Sequence, residues 1–146
     1  MNRLTYLIIA SALVVGCSRS TTPTYSDRLT EIEKQFGQVY ANGTVREVET
    51  ALHVYLARLN GLQMHPDCPE GKELHFALLR GLAEARLARL HGILGHPEKE
   101  AAFVAAALTH VADEDVNTKE ALFEMVERFD GGRPMHWKQE LTQPEN

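Results

Sequence analysis

The chain has 146 residues, 44% of them hydrophobic and 24% charged, with 20 acidic against 15 basic side chains and a formal net charge of −5. That balance suits one ordinary globular domain with a single core. It disfavours a polyanionic partner, so nucleic acid is not expected.

At the amino terminus Met1, Asn2 and Arg3 make a short basic start, and residues 4–15 are then mostly apolar, interrupted only by Thr5, Tyr6 and Ser11. This is the layout of a secretory signal. A helix crossing the hydrocarbon core needs roughly 20 apolar residues and this run supplies about a dozen, so it reads as an export signal rather than a permanent span. The stretch Val14-Val15-Gly16-Cys17 resembles the lipobox of bacterial lipoproteins. The resemblance implies cleavage before Cys17, acylation of its sulfur and an anchored protein facing the periplasm. Ser18, where an Asp would signal inner-membrane retention, implies delivery to the outer membrane. Cleavage after Ala10-Ser11-Ala12 and an uncleaved hydrophobic start are the alternative readings. With Cys17 alkylated, Cys68 has no partner for an internal disulfide. Several acyl chains, at about 0.8 kcal/mol per buried methylene, would hold the chain stably on a bilayer.

Residues 17–25 then form a tether, short-sided and polar around Pro23, and the folded part is expected over 26–130. Leu29, Ile32, Phe36, Val39 and Tyr40 recur at helical spacing, with Ser26 as the expected cap and Asn42-Gly43 as the stop. Thr44 and Glu47 match a capping box that opens a second helix, its apolar stripe running through Val48, Leu52, Tyr55 and Leu59 to an expected end at Asn60-Gly61. A loop over 62–71 precedes a long helix over about 70–94, with Asp67 and Pro69 as its start signals. Gly95 closes that helix and Pro97 is the first residue of a fourth, which runs to about Ala112. A capping pattern over 117–120 opens a fifth helix that ends at Gly131-Gly132. In the tail, residues 131–146, Pro134, Trp137 and Leu141 suggest a short docked helix.

No stretch shows sustained strand alternation, so the fold is all-α: about five amphipathic helices in antiparallel hairpins. The run "AEARLARLHGILGHPEKEAAFVAAAL" over 83–108, small and apolar positions before a glycine turn and an alanine-rich second helix, loosely resembles a tetratricopeptide-type array. An orthogonal helical bundle is the other architecture. The whole plan resembles the small helical-repeat lipoproteins that serve as assembly factors or pilotins.

The long third helix has two polar sides. Glu73, Arg80, Glu84 and His91 read as a solvated face, while His75, Arg86 and Arg89 stand nearly opposite. Between them, Leu74, Leu78 and Ala85 are expected to face one neighbour, and Leu79, Ala83, Leu87, Leu90 and Leu94 another. Arg86 and Arg89, one turn apart, would suit a partner's carboxylate or phosphate; otherwise they pair with Glu31, Glu33, Glu47 or Glu49 of the first hairpin. Trp137 docks on the domain or anchors an interface. The "AAFVAAAL" run of the fourth helix reads as buried on both sides.

"HPDCP", residues 65–69, places His65 and Cys68 three apart, but two potential ligands fall short of the four a structural zinc needs. There is no G-x-S-x-G, no H-E-x-x-H and no phosphate-cradling glycine loop. The expected function is therefore non-enzymatic and needs no cofactor: a lipid-anchored scaffold binding a protein or peptide in the envelope through His75, Arg86, Arg89 and Trp137. A metal- or thiol-dependent protein using His65 and Cys68, or a purely structural envelope component, is the alternative.

Overall fold

The computed structural model describes residues 22–112, 115–132 and 135–140. Among them are six helices and no strand: α1 (Tyr25–Asn42), α2 (Val45–Gln63), α3 (Glu73–Ile93), α4 (Pro97–His110), α5 (Lys119–Asp130) and α6 (His136–Glu140). The signal segment, Cys17, Pro134 and Leu141 lie outside the described residues.

Local chemistry explains where the helices begin. α1 starts earlier than expected because Thr24, not Ser26, is its cap: the Thr24 hydroxyl accepts from the Asp27 N–H and the Asp27 carboxylate accepts from the Thr24 N–H. The last residues assigned to the tether therefore belong to the folded part. Thr44 and Glu47 form the same reciprocal box at the head of α2, as the sequence predicts. α2 runs on past Asn60-Gly61 to Gln63, since a glycine inside a helix costs only about 1 kcal/mol and the buried Leu62 extends the apolar stripe. α3 starts at Glu73 without a side-chain cap, beyond Asp67 and Pro69, which lie in the loop. Gly95, at φ +74°, makes the turn into Pro97, and Thr118 rather than Asn117 caps α5.

α3 is the central helix and separates two apolar clusters. Phe76, Ala83, Leu87 and Leu90, with Leu79 and Leu94 at the edge, pack with α1, α2, Met135 and Trp137. Leu82 and Ala85, with Leu78, pack with Ala107, Val111, Leu122, Met125 and Val126 of the α4–α5 side. The two expected apolar flanks are thus real, apart from Leu74, which is 67% exposed. Burying a leucine fully, as at Leu52, Leu59, Leu87 and Leu90, contributes about 1.5–3 kcal/mol each.

α4 approaches α3 closely at Gly81, where a Cβ would lie 2.3 Å from Val111 Cγ1. It is an outer helix all the same. Only Ala107 in α4 is buried, whereas Ala101, Ala102 and Ala105 are exposed, so the expectation of burial on both sides is corrected. Its alanines allow close approach along one face and carry too little apolar area to demand a cover on the other.

Candidate binding groove

Two sets of helical positions line a wide concavity between α1 and α2. Ile32, Phe36 and Val39 of α1 and Ala51, Val54 and Tyr55 of α2 supply its apolar lining, spaced three and four apart so that each set lies on one side of its helix. The furrow between these antiparallel helices has a volume of about 910 Å³. Its floor is aromatic: Phe36 stacks on Tyr55 with centroids 4.5 Å apart and on Tyr40 at 5.2 Å. Burial pushes the Tyr55 hydroxyl up to about 12, so it stays protonated. Val39 and Val54 stand on the rim, 36% and 45% exposed.

The floor is held from the α3 side by a buried ion pair. Arg86 donates from Nε and Nη2 to Asp130 Oδ1 at 3.1 and 2.7 Å, and the Tyr40 hydroxyl donates to Asp130 Oδ2 at 2.8 Å. The same guanidinium lies 5.0 Å from the Tyr40 ring centre and 5.7 Å from that of Phe36. Asp130 is 5% exposed, so its charge relies on Arg86, with the Tyr40 hydroxyl as a neutral donor and Lys138 also in electrostatic reach.

The polar lining differs in kind. The Glu47 carboxylate is spent on the cap, where hydrogen bonds from the Thr44 N–H and hydroxyl, at 2.8 and 2.9 Å, hold its pKa below the ordinary range. Thr50 donates to Arg46 O and Asn42 to Gln38 O, both within their own helices. Arg58 donates to Gln35 Oε1, and Gln35 donates in turn to Glu31 at 2.7 Å. Among the described residues no carboxylate pairs with either groove arginine, Arg46 or Arg58.

The four residues singled out in the sequence do not form one surface. Arg86 is engaged with Asp130 and Arg89 with Glu127, so their acids come from α5 and not from the first hairpin. Trp137 is 1% exposed and packs 5.8 Å from Tyr40, which makes it a docked core residue and removes it as an exposed anchor; its indole N–H has no partner among the described residues. His75 is exposed near the start of α3, set against the edge of Phe76. The supposed solvated face is partly covered: Glu73 is exposed, Arg80 and Glu84 are half-buried and His91 is buried. Glu84 meets His110 at 2.7 Å, Arg80 donates to Gln63 at 2.6 Å, and His91 is 1% exposed.

His91 stacks on Phe103 with its Nε2 3.4 Å from Glu49 and its Nδ1 3.3 Å from His96 Nδ1. In the loop, His65 Nδ1 accepts from the Asp67 N–H at 3.2 Å and lies 3.6 Å from the Asp67 carboxylate, while its Nε2 is 3.1 Å from Arg28 Nη1 of α1. Cys68 Sγ rests on Pro69 O at 3.8 Å. No cluster of three or more His, Cys, Asp or Glu among the described residues could hold a metal ion. No described helix is long and apolar enough to cross a membrane.

The groove itself was not anticipated: its apolar positions read as ordinary core stripe, and nothing in their spacing says that part of each stripe lacks a covering helix. No family model, curated protein or solved structure is similar enough to the chain to match it.

Proposed function

We propose that this chain is a lipid-anchored helical scaffold of the cell envelope that binds a protein or peptide partner, and that the partner lies in the α1/α2 furrow. The observation that carries the binding half is that furrow: an open, aromatic-floored concavity with valines on its rim and polar groups along its length. A groove between paired helices, apolar along the centre and polar at the edge, is the shape into which an amphipathic segment lays its apolar face. The anchoring half rests on the resemblance of Val14-Val15-Gly16-Cys17 to a lipobox, with the tether carrying the domain off the bilayer.

Photocrosslinking tests the binding half. Full-length protein carrying benzoylphenylalanine in place of Val54 is expected to give a covalent adduct with a second polypeptide on irradiation in its native cells. The same probe in place of Glu98, exposed on α4, is expected to give none. Absence of an adduct at position 54 overturns the reading. Mass spectrometry of the native protein tests the anchor: the first residue is expected to be a diacylated Cys17, and an unmodified amino terminus removes the anchor while leaving the groove intact.

A further inference from the structure

We infer that the groove is built for an acidic amphipathic helix of a partner protein, with a carboxylate at each end of its apolar stripe. This rests on the peptide-binding reading above and adds the chemistry of the occupant.

The argument is one of charge and spacing. In a chain with net charge −5, the furrow offers two guanidinium groups, Arg46 and Arg58, and a single carboxylate, Glu47, whose charge is already committed to the α2 cap. Arg86 and Arg89 behave differently, each sitting on an acid supplied by α5, while Arg80 of α3 donates to Gln63. α1 lends the furrow only neutral polar groups: Gln35, Gln38 and Asn42. Arg46 is also placed against local preference. It is the second residue of α2, where the positive end of the helix dipole disfavours a cation by roughly 0.3–1 kcal/mol. Arg46 is exposed and pairs with no acid among the described residues, so a partner's carboxylate can reach it without displacing one of the chain's own.

The two arginines are 12 residues apart on one helix, about 18 Å along its axis. Between them lie Ala51 and Val54, facing Phe36 and Val39 of α1. A helix in the furrow between two others matches this plan, because residues i and i+11 fall three turns apart on one side at a rise of about 17 Å. Glutamates at such positions reach Arg46 and Arg58 while apolar residues at i+4 and i+7 cover Val39 and Val54.

The probe is a fluorescent 16-residue peptide of helix-forming residues with Glu at positions 3 and 14 and Leu at 7 and 10, alongside versions with Gln or Lys in place of both Glu. Wild-type protein is expected to bind the Glu peptide, with affinity falling as salt rises, and to bind the Gln peptide about 2- to 30-fold more weakly, as two rim ion pairs allow. The Arg46→Glu/Arg58→Glu variant is expected to prefer the Lys peptide. Failure to bind the Glu peptide, or equal binding of all three, overturns the acidic helix; a partner adduct at position 54 then still upholds the peptide-binding reading. If Cys17→Ser protein instead sediments with phosphatidylglycerol vesicles through Arg46 and Arg58 and ignores the peptides, the groove faces lipid and the inference fails.

Discussion

The α3–α5 side and the α1/α2 face carry the same guanidinium chemistry in opposite circumstances. Arg86 is 12% exposed at its side chain, doubly bonded to a carboxylate and set against two aromatic rings; Arg46 stands exposed on the groove with no carboxylate paired to it among the described residues. The difference lies in where the fold delivers acids. α5 brings Glu127 and Asp130 against α3, so the arginines there are structural, whereas α1 offers Arg58 only the Gln35 amide and gives neither groove arginine a carboxylate partner. An arginine is thus informative about function only once its neighbours are known.

The largest effect that sharpens this contrast is at Asp130. Asp130→Ala leaves the Arg86 charge buried without its partner and is expected to cost about 3–5 kcal/mol in denaturant unfolding. A loss below 1 kcal/mol would break the contrast, because Arg86 would then be as free as Arg46.

An intermediate effect belongs to the α2–α3–α4 contact around His91. Burial pushes its pKa below the ordinary 6.5, with Glu49 pulling the other way and Lys99, His96 and His53 adding to the depression. The folded state therefore binds this proton more weakly than the unfolded one. The His91 contribution is complete above pH 6.5 and is lost as the pH falls towards the lower folded value, at up to about 1.4 kcal/mol per pH unit. Unfolding free energies between pH 7.5 and 5 are expected to fall more steeply for the wild type than for His91→Phe; equal slopes would show that His91 is not held neutral by the fold.

The smallest effect is the counterpart of the first. Arg46→Ala is expected to change stability by no more than about 0.5 kcal/mol, with a slight gain allowed by the removal of a cation from the first turn of α2. A loss above 1 kcal/mol would show that Arg46 is structural after all, and the groove would have only Arg58 to offer.

Much of the fold is legible along the chain because its causes are local. The Thr44–Glu47 box, the turn at Gly95 and Pro97, and the left-handed cap at Gly131 each depend on a few neighbouring residues. The two apolar flanks of α3 follow from helical periodicity alone. Where periodicity misled, the reason is a neighbour that local pattern does not encode. Glu84 and His91 read as solvated because they share a side with polar residues, yet His110 and Phe103 of α4 cover them.

The sequence by itself determined the helices, their hairpin connections and the division of α3 between two cores, since backbone capping and side-chain periodicity act within a few residues. Only the tertiary structure decided which charges are neutralised and which apolar stripe stays uncovered. Asp130 meets Tyr40 from 90 residues away and Arg86 from 44, and such pairing arises when distant helices pack. The furrow between α1 and α2 exists for the same reason: α3 and α6 cover one side of that hairpin, and no described helix covers the other.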